Sequence, residues 1–433
     1  MKKHLMLFGA IALVATSPLP AQFRGDEPVA VPRAVRQGID FVYVDPQMST
    51  VARKRQRPQN WLARMFKGNG GGDNNAGRQG SPNPMFLDLA RGLQQYQANW
   101  GALPQTKIPA GAALKRGASG KRVALLRTRL GLAPAGGYDD MLGARVAAYQ
   151  RVHGLGQGDG IAGRATIASL NLGAVHYSRR IAINMERAFR LPAVRAFNRY
   201  VVVDSGAAET YLFDRDRRVD SMRVIVGSVK TKTPMMAVLM RNAKANPYWH
   251  VPPELVRSLT AQKVKEMGPS YFRQFHYEVM SDWSANRRLI DPKTVNWRAI
   301  ASGKQQPTIM VRQQPGPWNS MGAMKFEMPN DFGIYLHDTP LKEKFAGDRW
   351  ISNGCVRLED YRRFGSWVFG RMPEPGPVPE QVIPLPRPVP IYMTYLTVAA
   401  DPNGVTFRPD PYGFDALAMP QMFGGANRIA SAI

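Results

Sequence analysis

The apolar residues of this 433-residue chain change their spacing partway along, and that change splits it into two kinds of structure. Phe86, Leu87, Leu89, Leu93 and Tyr96 recur at intervals that suit one helix face, giving a helical lead-in over 85–111 that Ile108-Pro109 closes. Residues 112–175 predict a compact three-helix unit. Its first helix carries Val123, Leu125, Leu126 and Leu130. The second runs Leu142 to His153 behind Asp139-Asp140, with Val146, Ala147 and Tyr149 inward, and the third runs Arg164 to Leu170. Glycines and aspartates fall at the breaks, as turn chemistry requires. Residues 176–198 read as a helical connector. From Arg199 the pattern becomes short β-branched runs: Tyr200 to Asp204, then Tyr211-Leu212-Phe213 before a turn at Asp214-Arg215-Asp216, then Met222 to Gly227. Strands at this spacing predict a mostly antiparallel β domain over 199–400. A helix-patterned stretch, 253–298, interrupts it. Residues 371–390 are proline-rich and extended, Pro390 to Tyr395 reads as the last strand, and 401–433 reads as a loose or marginally helical tail. The expected class is multidomain α+β.

The ends and the charge bear on where such a chain works. Met1-Lys2-Lys3-His4, an apolar run from Leu5 to Ala15, and small residues and prolines to Ala21 follow the order of a secretory signal. The run is short for a membrane span, which needs about 20 apolar residues; an uncleaved anchor is the alternative. Residues 22–84 contain a basic run, Arg53 to Arg57, and a Gly/Asn/Ser/Pro-rich stretch from Gly68 to Pro84, and read as a flexible basic region. The net charge of +26 favours anionic partners. For an exported chain these are acidic wall polymer or an anionic envelope surface. Zinc-finger spacing and RNP-like aromatics are lacking, so nucleic acid is not an expected partner. No metal-ligand cluster, P-loop or dinucleotide fingerprint stands out, and no cofactor or metal is expected. The sequence leaves the oligomeric state open.

The chemistry concentrates around the only cysteine. Cys355 lies in Ser352-Asn353-Gly354-Cys355-Val356-Arg357, 18 residues after His337 in His337-Asp338-Thr339-Pro340. Structural cysteines of exported proteins come in pairs. An unpaired one is either buried and inert or reactive. A thiol beside an imidazole is what acyl transfer needs: the thiolate attacks a carbonyl and the imidazole takes and returns the proton. An imidazolium neighbour lowers a thiol pKa, so an ion pair between Cys355 and His337 would hold nucleophile near neutral pH.

The run Tyr335-Leu336-His337-Asp338-Thr339-Pro340 followed by Ser352-Asn353-Gly354-Cys355-Val356-Arg357-Leu358 resembles the signature of the L,D-transpeptidases, the YkuD-type cysteine enzymes of bacterial cell walls. Gly227, Thr233-Pro234, Asn246 to Pro253, Arg312 to Asn319, Gly322 to Asn330 and Asp410 to Asp415 resemble the same catalytic fold. Many members carry histidine where this chain has Asn353, which leaves that side chain's role in substrate placement open. The glycine, arginine and leucine pattern of 112–175 resembles a small peptidoglycan-binding domain. Its rival is a three-helix scaffold with an unused groove. In the larger Gram-negative members an insertion at the position of 253–298 caps the active site; here a plain surface excursion is the alternative.

The resemblance implies Cys355 as nucleophile and His337 as general base, then acid. A backbone carbonyl commonly orients the imidazole in the family, so Asp338 is not needed as a third catalytic carboxylate. Asn353, Gly354, Ser352 and Arg357 belong to the catalytic and oxyanion loop, with backbone N–H groups as donors and Arg357 as an anchor or a carboxylate clamp. Tyr335, Trp318 and Asp338 are candidate substrate-binding residues; core packing is the alternative for Trp318. The implied donor is a peptidoglycan tetrapeptide stem that loses D-alanine to an acyl-enzyme in the periplasm. Transfer to another stem gives a 3→3 cross-link. A free D-amino acid, a protein amine or water are other acceptors, and a non-catalytic wall-anchoring protein is the reading from another class.

Overall fold

The computed structural model describes residues 41–44 and 81–423. The expected signal segment, most of the basic region and the last ten residues of the tail lie outside the described residues. The described residues fall into two compact units: 250–312 with 330–333 form the smaller, and the other described residues form the larger.

In the larger unit the helices begin where the sequence places its caps. Asn83 accepts a hydrogen bond from Met85 N–H ahead of α1 (Pro84–Tyr96), which continues as a π turn to Gly101. The three-helix segment is α2 (Lys121–Arg129), α3 (Asp140–Val152) and α4 (Arg164–Leu172). Asp139 Oδ1 accepts Leu142 N–H at 2.8 Å and so caps the first turn of α3. The connector is α5 (Ala174–Ala188), most of whose residues are buried.

The β part runs β1 (Phe41–Val44), β2 (Arg199–Asp204), β3 (Glu209–Asp214), β4 (Arg217–Gly227) and β5 (Met235–Ala245). The smaller unit's sheet is β6 (Trp249–Val251), β7 (Tyr277–Met280) and β8 (Met310–Gln313), in the order β6-β8-β7. The chain then forms β9 (Met324–Glu327), β10 (Leu336–His337), β11 (Trp350–Ser352), β12 (Val356–Leu358), β13 (Gln381–Thr394), β14 (Val398–Asp401) and β15 (Gly404–Phe407). Strands β5-β13-β2-β3-β4-β12-β10-β9 follow one another, and β9 pairs back onto β5, closing a barrel. Most of its pairs are antiparallel; β13 with β2 and β10 with β12 are parallel. Tyr200 to Asp204 is buried without alternation, the pattern of a strand covered on both faces.

Three expectations need correction. The region 22–84 contains a paired strand: β1 lies parallel to the start of β5, Phe41 opposite Met235. Pairing begins at Gln381, well before Pro390. The prolines lack ladder donors, and a register shift between Pro384 and Val389 absorbs them. The final strands are a hairpin, β14–β15, and the supposed tail contains a helix, Phe414–Phe423. Its first turn is held by Asp415, whose carboxylate meets Arg187 at 2.6 Å and Arg180 at 3.0 Å on α5.

The three-helix segment is also less independent than its sequence suggests. One aromatic core runs from Phe86 through Tyr96, Tyr149 and Tyr177 to Phe407. At its centre the His153 ring stacks on Tyr149, 3.7 Å between centroids, and meets Tyr177 edge-on. Its ring nitrogens bond Tyr96 Oη at 3.0 Å and the Tyr149 carbonyl at 2.8 Å. Gly154 has φ +67°, and a Cβ there would lie 2.3 Å from the Phe407 carbonyl oxygen, so only glycine lets the helices approach the hairpin this closely. The helices and the barrel therefore share a core.

In the smaller unit the helix-patterned stretch extends beyond 253–298 on both sides. It carries α6 (Ala261–Met267) and α7 (Trp297–Ala301) beside its sheet, with Phe272 against Trp297 and Arg312 paired to Glu278 at 2.7 Å.

Candidate active site

The 18-residue gap between His337 and Cys355 closes because β10 and β12 are neighbours. Leu336 pairs with Val356 and His337 with Arg357, and Val356 N–H donates to the Tyr335 carbonyl at 2.9 Å. Side chains alternate along strands that lie about 4.8 Å apart, so Tyr335, His337, Cys355 and Arg357 share one face. On the other side β9 sets Lys325 directly opposite His337.

The nucleophile loop between β11 and β12 is tied internally and from behind. Ser352 Oγ donates to the Cys355 carbonyl at 2.6 Å and accepts Gly354 N–H at 3.1 Å. Thr231 Oγ1 donates to the Ser352 carbonyl at 2.9 Å, and Thr233 Oγ1 to the Gly354 carbonyl at 2.7 Å. Gly354 has φ +113°, and a Cβ there would stand 2.9 Å from Ile334 Cδ1. The loop needs this glycine for its backbone, as expected. One part of the expectation fails: Gly354 N–H is occupied by Ser352, so it is not a ready oxyanion donor.

His337 is buried, and its Nδ1 lies 2.5 Å from the Asp338 carbonyl oxygen. With Nδ1–H donating to that carbonyl, the neutral ring keeps a lone pair on Nε2 to receive a proton. Burial pushes the imidazole down to about 3, the Arg357 charge pushes the same way, and backbone bonds to Asp338 and Met321 oppose. Cys355 keeps partial exposure while its sulfur is enclosed. Burial pushes the thiol up, against a backbone hydrogen bond from Tyr335 and the charges of Arg357 and Lys325. Both directions weigh against the expected ion pair and favour a thiol beside a neutral imidazole.

The contacts of Asp338 are structural. Its side chain is buried, Oδ2 accepts Ala323 N–H at 2.9 Å and Oδ1 pairs with Lys342 at 2.7 Å. It holds strand ends together, and its backbone carbonyl orients His337. Arg357 Nε is buried with no hydrogen-bond partner, so the structure supplies no anchoring bond there; the charge acts on His337 and Cys355 instead. Asn353 is exposed, Tyr335 is half-buried with Lys325 Nζ 4.6 Å from its ring centre, and Trp318 is 41% exposed, which rules out core packing for it.

Sequence reasoning missed Lys325, Thr231, Thr233 and Tyr412. Lys325 is buried, 3.0 Å from Glu327, and lies in the quoted run Gly322 to Asn330 without a role having been drawn from it. Burial pushes its ammonium down, yet Tyr335 and Glu327 outweigh this and hold it above the ordinary value. Among the described residues no cluster of His, Cys, Asp or Glu could hold a metal ion, and no helix is long and apolar enough to cross a membrane.

A Haemophilus influenzae protein named a candidate L,D-transpeptidase is 27% identical over 248 residues, which cover 55% of this chain and 48% of that protein. The chain thus spans about half the length of that curated relative. Among solved structures, an L,D-transpeptidase from Mycobacterium smegmatis is 12% identical over 45% of this chain and 58% of its own, with a TM-score of 0.23. The L,D-transpeptidase of Xylanimonas cellulosilytica is 14% identical over 66% of this chain and all of its own, with a TM-score of 0.19. At such scores the strand order above, not these likenesses, describes the fold. The family model for the L,D-transpeptidase catalytic domain, YkuD, matches residues 198–378, a span that includes His337, Cys355 and the barrel from β2 to β12. Over residues 198–378 the chain is similar to the L,D-transpeptidase catalytic domain.

Proposed function

We propose that the protein is a periplasmic L,D-transpeptidase acting on peptidoglycan stem peptides. The observation that carries the reading is the placement of Cys355 at the end of a pinned loop, beside the strand that presents His337 with Nδ1 committed to a backbone carbonyl. Because thiol and imidazole are both neutral at rest, attack couples to proton transfer. The Cys355 sulfur bonds to the carbonyl carbon of the stem's third residue as its proton passes to His337. The bond to D-alanine then breaks, and the imidazolium returns the proton to the leaving amine. An incoming stem amine attacks the thioester, His337 takes its proton, and the thiol is restored with a 3→3 cross-link formed.

The helical segment supports a glycan-holding role. A groove of about 520 Å³ lined by Arg116, Asp139, Asp140 and Asp159, with the buried Tyr138 beneath it, is where we place the glycan. The test is purified protein on a disaccharide-tetrapeptide, with products read by mass. Cross-linked dimers and free D-alanine, both lost in Cys355→Ala, are the expected result. Tripeptide alone would mean a hydrolase, and no turnover with retained wall binding would mean an anchoring protein.

A further inference from the structure

The C-terminal segment beyond the matched domain reaches back to the nucleophile loop. Tyr412 Oη donates to the Gly227 carbonyl at 2.5 Å and accepts Thr233 N–H at 3.4 Å. Gly227 N–H donates to Thr233 Oγ1 at 2.9 Å, and that hydroxyl donates to the Gly354 carbonyl at 2.7 Å. Thr233 is fully buried and Tyr412 nearly so. Tyr412 is itself fixed: its ring stacks on Tyr395 at 5.1 Å, its N–H donates to Tyr395 Oη at 2.9 Å, and Tyr395 Oη donates to Asp410 at 2.6 Å. Lys232 Nζ, next in sequence to Thr233, donates to the Tyr412 carbonyl at 2.7 Å.

This relay ends on one peptide plane. The peptide bonds are trans, so the Gly354 carbonyl and the Cys355 N–H point in opposite directions. A hydroxyl that holds the carbonyl fixes the direction of the N–H of the nucleophile's own residue. The Cys355 N–H belongs to the nucleophile's own residue, next to the carbonyl under attack, so its direction bears on a developing oxyanion. We infer that Thr233, set by Tyr412, is a positioning residue that aims the Cys355 N–H at the developing oxyanion, so that the segment after β15 completes the active site. The inference rests on the acyl-transfer reading above.

Acylation develops an oxyanion, whereas alkylation by iodoacetamide does not, and the pair of reactions separates aiming from general damage. Rates of Cys355 acylation by a carbapenem and of alkylation by iodoacetamide are measured by intact mass for wild type, Thr233→Val, Thr233→Ser and Tyr412→Phe. Loss of one oxyanion donor costs roughly 100-fold or more, and misaiming one costs part of that. Thr233→Val is expected to slow acylation roughly 30-fold and Tyr412→Phe roughly fivefold, with alkylation within about threefold of wild type. Thr233→Ser keeps the hydroxyl and restores acylation. Acylation of Thr233→Val at the wild-type rate, or an equal fall in both reactions, overturns the inference. If Thr233→Val does not fold, Tyr412→Phe carries the same comparison. Wild type that alkylates but does not acylate overturns the functional reading, and this inference with it.

Discussion

A neutral resting pair makes a sharp demand on the pH dependence of Cys355. With the imidazole held at about 3, imidazolium is roughly one part in 10⁴ at pH 7. With the thiol above its ordinary value, thiolate is a minor species that grows tenfold per pH unit. Alkylation of Cys355 by iodoacetamide, followed by intact mass, must then accelerate about 100-fold from pH 6 to pH 8, with no inflection near 6.5 and no plateau below the ordinary thiol range. An ion pair would give a different curve: the thiolate would already be formed and the rate would change by about twofold over the same interval. Arg357→Gln removes a charge that favours thiolate, so its curve lies to the right of wild type. A plateau reached by pH 7 would refute the burial argument and restore the ion pair.

Other expectations follow from the same contacts. Asp338→Asn keeps an acceptor for Ala323 N–H but loses the charge opposite Lys342, so acylation stays within about threefold while stability falls by about 1 kcal/mol; a loss near 10⁴-fold would make Asp338 a catalytic carboxylate after all. Asp415→Ala breaks a buried ion pair with Arg187 and costs about 3–5 kcal/mol in denaturant unfolding; a cost below about 1 kcal/mol would return the helix Phe414–Phe423 to the status of a tail. His153 is held neutral by burial, at about 3 against 6.5. The unfolded chain therefore binds its proton first, and stability is lost as pH falls from 6.5 towards 3, by about 2 kcal/mol at pH 5 from this group. A His153→Gln variant should show a correspondingly shallower acid slope.

The candidate nucleophile and base stand out in the sequence because each sits in a contiguous run whose residue types are dictated by chemistry. The helices were legible because their apolar spacing and caps are local, as at Asp139. The parts that escaped are long-range. Thr233 meets Gly354 across 121 positions and Tyr412 across 179, and nothing local marks a threonine as a clamp. Barrel closure depends on β5 pairing with β9, which no strand pattern announces. The β13 prolines obscured a strand that a register shift accommodates. Domain independence was overcalled because Tyr96, Tyr149 and Phe407 look like the cores of separate pieces until His153 stacks among them. The protonation state of the pair is not legible in sequence, which shows a neighbour but not the depth at which it is buried.

The most direct measurement is intact-protein mass after exposure to a carbapenem, for wild type and Cys355→Ala. A single stoichiometric covalent adduct on wild type, absent from the variant, is the result expected of an acyl-accepting Cys355. Folded wild type that gains no adduct would contradict the assignment of this site to acyl transfer.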